Sequence, residues 1–129
     1  ALEEMTLKEE LSAAQVMNKR IVIVAGGEDV HAIIKKMKKY AISQVPVVEK
    51  GKAIGLVTEG VLLDKMSSGG DISQLRARDI MEECPPIITP QTRISVVAHL
   101  LHHFTIVLVA EKGVLLGLVS KADLIERIA

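Results

Sequence analysis

Apolar positions along this chain switch between two periods. Ile21-Val22-Ile23-Val24 is a β-branched run closed by Gly26-Gly27, which predicts a short buried strand. From Asp29 the spacing becomes helical. Val30, Ile33, Ile34 and Met37 share one face, and Lys35, Lys36, Lys38 and Lys39 take the other. Val45-Pro46-Val47-Val48 and Ala53-Ile54-Gly55-Leu56-Val57 flank Glu49-Lys50-Gly51-Lys52, a β-hairpin signal. Thr58 then opens a helix to about Met66, and Ser67-Ser68-Gly69-Gly70 interrupts the pattern. Ahead of the first strand, Thr6–Glu9 and Ser12–Gln15 read as capping boxes and predict a helix over 7–18.

The same order then returns. A helix over about 71–81 leads to the strand Pro85-Pro86-Ile87-Ile88. Thr89-Pro90 predicts a helix start, with Ile94, Val97, Ala98 and Leu101 along its apolar face. Ile106–Ala110 and Val114–Val119 form a second hairpin, and Ser120 opens the last helix.

This is a repeat at the level of residues. Glu49-Lys50-Gly51 and Gly55-Leu56-Val57-Thr58 reappear 62 positions later as Glu111-Lys112-Gly113 and Gly117-Leu118-Val119-Ser120. Ala13-Ala14-Gln15-Val16-Met17 is answered 64 positions on by Ala77-Arg78-Asp79-Ile80-Met81. The change of offset makes the leading helix of the second copy about two residues shorter. One such unit cannot bury its apolar face alone. The expected fold class is therefore α/β: two pseudo-symmetric βαββα units packed together, each with a leading helix. The first spans 1–67, a linker 68–76, and the second 77–129. A seam between such halves is where a ligand is expected.

Composition narrows the function. Hydrophobic residues make up 49% of 129, but aromatics only 2%, so the core is aliphatic and the composition counts against base-stacking platforms for single strands. Sixteen basic and sixteen acidic residues cancel, which argues against direct nucleic-acid binding. A single cysteine, Cys84, permits no internal disulfide and no cysteine-based zinc cluster, which favours a reduced, cytoplasmic setting. No apolar run approaches the roughly 20 residues that span a bilayer. A first residue other than Met suggests processing or a cut chain, which leaves room for a neighbouring domain out of view.

Ser120-Lys121-Ala122-Asp123 is the sharpest local motif. A hydroxyl at a helix N-cap and a carboxylate three residues on both leave the first turn, where backbone N–H groups attract phosphate. The carboxylate can accept from a ribose diol, and the hydroxyl can donate to a phosphate. The same spacing is equally a variant capping box serving only the helix.

The repeated context resembles the tandem CBS family, regulatory modules named after cystathionine β-synthase. Its Gly-h-h-Thr/Ser-x-x-Asp signature (h, apolar) matches Gly117-Leu118-Val119-Ser120-Lys121-Ala122-Asp123 and, in part, Gly55-Leu56-Val57-Thr58-Glu59-Gly60-Val61. Val16-Met17, Ile80-Met81 and Ile42-Ser43-Gln44-Val45-Pro46-Val47-Val48 match its other motifs, so the likeness covers residues 12–129. It implies a Bateman module that senses an adenine nucleotide (AMP, ADP or ATP) or another adenosyl compound in the cleft between repeats, changing conformation or homodimer packing. By the same resemblance Ser120 and Asp123 grip ribose and phosphate, Lys121 approaches phosphate, and Pro86, Ile88, Thr105 and Ile106 line the base. Thr58 is the matching hydroxyl of the first copy. There Val61 replaces the Asp, so one nucleotide per chain is expected, in the second copy. Leu108 stands where the family has a strand proline. The apolar faces of Val61-Leu62-Leu63 and Leu124-Ile125-Ile128 are the expected dimer surfaces.

Other features carry less. His99, His102 and His103 fall at i, i+3 and i+4 of a predicted helix, but adjacent residues diverge by about 100°, so three-way metal ligation is strained and rim histidines are the simpler reading. Lys35–Lys39 reads as a solvated face or, more sharply, a docking patch for an acidic partner or phosphate. Gly26-Gly27-Glu28-Asp29 lacks the spacing of a nucleotide loop and reads as a helix entry. Cys84 has no base partner in sequence, and no nucleophile–base pair or paired carboxylates appear, so no enzyme activity is expected. The alternatives to sensing are a structural homodimerisation module without ligand and the regulatory fragment of a larger enzyme, channel or transcription regulator.

Overall fold

A computed structural model describes residues 11–128. The Thr6–Glu9 capping box and the start of the predicted first helix lie outside them. The described chain divides into two compact units, Val22–Cys84 and a second made of residues 11–21 together with 85–128.

In the Val22–Cys84 unit, helix α2 (Val30–Tyr40) precedes a hairpin of β1 (Gln44–Glu49) and β2 (Lys52–Thr58), and α3 (Glu59–Ser67) follows. The short helix α4 (Ala77–Ile80) closes the unit. Lys50 and Gly51 both have positive φ, 52° and 79°. That is the type I′ turn whose twist matches a two-residue hairpin, and Gly51 adopts it without a Cβ penalty. Val30, Ile33 and Met37 of α2, Val45 and Val47 of β1, Val57 of β2, Leu62 of α3, and Ala77 and Ile80 of α4 form one core. The helical and alternating periods read from the sequence thus converge on one face of the hairpin.

Asp29 caps α2 by accepting from the Ala32 N–H at 2.9 Å. The helix ends in a Schellman motif: Ile42 N–H donates to Met37 O and Ala41 N–H to Lys38 O. Ala41 is left-handed, at φ 53° and ψ 47°. A Cβ in that region is unfavourable, and Ala41 is exposed. Ala41→Gly should therefore stabilise the unit by about 0.5–1 kcal/mol, read as a rise of a few degrees in the thermal midpoint.

The second unit repeats the plan. Helix α1 (Ala13–Val16), strand β3 (Ile87–Ile88), helix α5 (Ile94–Leu100), hairpin β4 (Ile106–Glu111) and β5 (Val114–Ser120), and helix α6 (Lys121–Ile128) compose it. The sheet order is β3-β4-β5, with β3 parallel to β4 and β5 antiparallel. Ala13, Val16, Ile94, Val97, Leu101, Val107, Val109, Val119 and Leu124 form its core.

The packing units and the sequence repeats divide the chain differently. Helix α1 precedes the first copy, yet Ala13 and Val16 pack in the core of the second copy's hairpin. Helix α4 leads the second copy, yet packs on the first copy's hairpin. After each short helix the chain adds one bridge to a hairpin edge, Asn18 to Leu118 and Glu82 to Leu56. A period reveals that a unit recurs, but not which open edge it fills.

Several predicted elements shrink. The strand over 21–24 is a single bridge, Val24 to Val47, because the Ile23 carbonyl accepts from the Lys36 ammonium at 2.9 Å rather than from a strand. The helix over 71–81 breaks into a 3-10 turn, Ile72–Gln74, and α4. Between them Leu75 O accepts from Val30 N–H, and Arg76 bridges Asp29 in extended conformation. The helix expected from Thr89-Pro90 starts only at Ile94. The carbonyls of Pro90 and Thr92 are already taken by the amides of Ala14 and Ala13, so they cannot begin an intrahelical ladder.

Candidate functional site

The motif Ser120–Asp123 sits where β5 passes into α6. Ser120 pairs with Ile106 across the hairpin, which fixes the hydroxyl beside the start of β4. The Ser120 hydroxyl donates to Asp123 Oδ2 at 2.9 Å and accepts from the Asp123 N–H at 3.2 Å. The Ser120 N–H donates to the same Oδ2 at 2.9 Å. This is a complete reciprocal cap, half-buried at both residues. Both bonds to the carboxylate use one oxygen, Oδ2, and Oδ1 has no protein partner among the described residues.

The other predicted residues gather around this junction within the same unit. Ile106 is buried at 3% exposure, and Thr105 beside it is exposed. The Pro86 carbonyl accepts from Leu108 N–H at 2.9 Å, which sets Pro86 two residues along β4 from Ile106. Ile88 pairs with Val109, one step further from the junction. Pro86 and Ile88 are half-buried, and Lys121 is exposed on the first turn of α6.

Thr58 occupies the equivalent junction in the Val22–Cys84 unit. Its hydroxyl accepts from the Val61 N–H at 3.2 Å and caps α3. Val61 packs against the core of that unit, so it contributes burial where Asp123 contributes a carboxylate. Thr58 Oγ1 nevertheless donates to a carboxylate, Glu82 Oε1, at 2.6 Å.

Glu82 and its counterpart Asn18 are the residues that the sequence reading missed. Each pairs with the position two before the junction hydroxyl, Leu56 or Leu118. The 64-position offset that aligns Met17 with Met81 continues onto Asn18 and Glu82, so the signal was present. Gly55 and Gly117 permit this approach. A Cβ at Gly117 would lie 2.8 Å from Asn18 O, and one at Gly55 would lie 2.9 Å from Glu82 O.

The histidines do not form the expected helical face. α5 ends at Leu100, and His102 and His103 lie in the turn beyond it. The His99 and His103 rings meet edge-on at 5.7 Å, and no metal-binding cluster occurs among the described residues. Lys36 is not part of a solvated run, since it also pairs with Glu28 at 3.3 Å. Gly26–Asp29 is a loop into α2, in which Glu28 accepts from Ala25 N–H at 2.6 Å. Burial pushes the Cys84 thiol above its ordinary value, which disfavours the thiolate a nucleophile needs. No described helix is long and apolar enough to cross a membrane.

The CBS domain family model matches residues 13–68 and again 77–129. The chain belongs to the CBS domain family. It superposes on a CBS domain-containing protein of Bacillus anthracis with TM-score 0.86 at 14% identity, covering 96% of each chain. It also superposes on the CBS domain of a bacterial CNNM/CorC family Mg2+ transporter solved with ATP, with TM-score 0.84 at 20% identity, covering 98% of this chain and 93% of that one. A zinc metalloprotease of Methanocaldococcus jannaschii is 27% identical over 124 residues, 96% of this chain. The chain spans 34% of that relative's length.

Proposed function

We propose that this CBS pair is a regulatory sensor that binds an adenine nucleotide of the AMP, ADP or ATP class, with no enzyme activity of its own. Ser120 and Asp123 hold the ribose and phosphate, Lys121 approaches the phosphate, and Pro86, Ile88, Thr105 and Ile106 border the base. The observation that carries this reading is the pre-formed Ser120–Asp123 pair with Asp123 Oδ1 left to accept from a ligand hydroxyl. The ATP bound by the transporter's CBS domain is in keeping with it. Sensing requires that the ligand favour one conformation or dimer packing, because equal affinity for both shifts nothing. The match to one third of a protease favours a module that reports to an effector domain in a longer protein.

Thermal unfolding with AMP, ADP and ATP tests this on wild type and Asp123→Ala. Saturation at a hundredfold excess over Kd should stabilise wild type by about 2.7 kcal/mol. Asp123→Ala should lose that response, and should lose about 1 kcal/mol without ligand because half of the cap is gone. If no nucleotide shifts wild type, the sensor reading fails.

A second reading is a homodimerisation module without ligand. The completeness of the Ser120–Asp123 cap favours it, since the helix alone accounts for both side chains. Leu63 at 61% and Ile125 at 63% exposure offer apolar surface for a partner copy. A concentration-dependent dimer insensitive to every nucleotide would decide for it.

A further inference from the structure

The imidazoles of His99 and His103 meet each other and nothing else of the described protein. Their centroids lie 5.7 Å apart at an interplanar angle of 73°. Both residues are exposed, and neither ring takes part in a hydrogen bond or ion pair among the described residues. The ring nitrogens are therefore open to a ligand, and a neutral imidazole offers a lone pair on one of them. His102 stands between the two in the chain, but no ring contact among the described residues joins it to either.

The backbone holds the pair in place. Helix α5 ends at Leu100, yet the chain keeps turning. His102 N–H donates to His99 O at 3.2 Å, and the amides of His103 and Phe104 both donate to Leu100 O at 3.0 Å. Leu101, 2% exposed, anchors this last turn in the core of the unit. His99 and His103 thus stand one turn apart, the spacing at which two side chains share a face. Only their side-chain torsions remain to be set, and exposed rings adjust these at little cost. Two imidazoles on one tetrahedral ion, with metal–nitrogen bonds of about 2.0–2.1 Å, have centroids about 5 Å apart. The observed separation lies within about an ångström of that.

The first copy lacks these ligands. Val30, Ile33 and Met37 of α2 align with Ile94, Val97 and Leu101 at an offset of 64, which sets Lys35 and Lys39 against His99 and His103. An ammonium has three donors and no lone pair. Lysine serves a solvated face in the first copy, whereas the second copy puts two nitrogen ligands on the matching face.

We infer that His99 and His103 together bind one divalent transition-metal ion of the kind that suits imidazole: Cu2+, Ni2+ or Zn2+. The pair supplies two ligands. No group of three His, Cys, Asp or Glu ligands forms among the described residues, so water completes the coordination. The ion clips the last turn of α5 to the approach of β4. This site is independent of the proposed nucleotide site. It gives a role to residues that spacing alone presents as rim histidines, because the structure brings His99 and His103 together and leaves His102 out.

Titration calorimetry of the intact chain with NiCl2, without nucleotide, tests this. Wild type should bind about one Ni2+ per chain, and MgCl2 should give no binding heat, since Mg2+ takes oxygen ligands. His99→Ala and His103→Ala should each weaken Ni2+ binding at least about tenfold, because even an outer-shell partner of a metal is worth that much. His102→Ala should bind as wild type does. Electron paramagnetic resonance of the Cu2+-loaded chain reads the ligands directly. The nitrogen splitting of two imidazoles in wild type should fall to that of one in either single variant. No Ni2+ binding by wild type overturns the inference, and so does binding undiminished in His99→Ala or His103→Ala. A loss in His102→Ala equal to the other two overturns the pairing. Each of these results leaves the proposed nucleotide site untouched. All three positions are exposed, so the variants should fold, which circular dichroism checks.

Discussion

Ile33→Ala should lower the stability of the protein by about 3 kcal/mol, within the 2–5 kcal/mol range for emptying a packed aliphatic site. Ile33 is fully buried at the centre of α2, among Val30, Met37, Val45, Val47 and Val57. Two terms add: the transfer free energy of the lost methylene groups, and the cavity left among β-branched neighbours. Those neighbours are stiff at χ1 and collapse poorly into space. Alanine is the better helix former, but that returns only a few tenths of a kcal/mol. The core has one further weakness. With 2% aromatic residues it has no large flat side chain to swing into the void. Chemical denaturation should show the loss, with Lys35→Ala, an exposed position on the same helix, within about 0.5 kcal/mol of wild type. An Ile33→Ala loss under about 1 kcal/mol would mean that α2 is not seated as described.

Gly117→Ala should be destabilising although it adds one methyl group. Its Cβ would sit 2.8 Å from Asn18 O, 2.9 Å from Met17 Sδ and 3.1 Å from Met17 Cγ. The methionine can move, but the carbonyl cannot without breaking the Asn18–Leu118 hydrogen bonds. Overpacking of this kind costs about 1–3 kcal/mol. It should also lower hydrogen-exchange protection at Leu118, whose N–H donates to Asn18 O at 3.1 Å. Gly60→Ala is the informative contrast. Its nearest neighbour is Thr58 Oγ1 at 3.7 Å, so the new methyl meets open space. Gly60 lies in α3, and replacing a helical glycine by alanine gains up to about 1 kcal/mol. Opposite signs for two Gly→Ala changes would establish that close backbone approach governs Gly117. Equal signs would refute it.

Much of the fold was legible because burial writes itself into period. The alternation of Val45, Val47 and Val57, and the helical spacing of Val30, Ile33 and Met37, all report one buried face, and they do so before any contact is known. Lys50-Gly51 and Lys112-Gly113 give the hairpin turns, since a two-residue turn needs positive φ at both positions. The junction hydroxyls Thr58 and Ser120 were readable because N-capping is local: donor and acceptor lie within three residues. The weak elements were misjudged where distant carbonyls compete. Pro90 and Thr92 look like a helix start until Ala13 and Ala14 take their oxygens. Ile23 looks like a strand until Lys36 takes its carbonyl.

The sequence by itself therefore determined the repeat, the α/β class, the two hairpins and the Ser120–Asp123 cap, because each depends on neighbours within one element or one turn. Tertiary structure alone decided that α1 joins the second copy's hairpin and α4 the first, since two similar open edges are equal candidates for any local rule. It also decided that Thr58 has a carboxylate. Glu82 is 24 residues away in the chain, and only the bridge to Leu56 beside the bare backbone of Gly55 brings it within 2.6 Å.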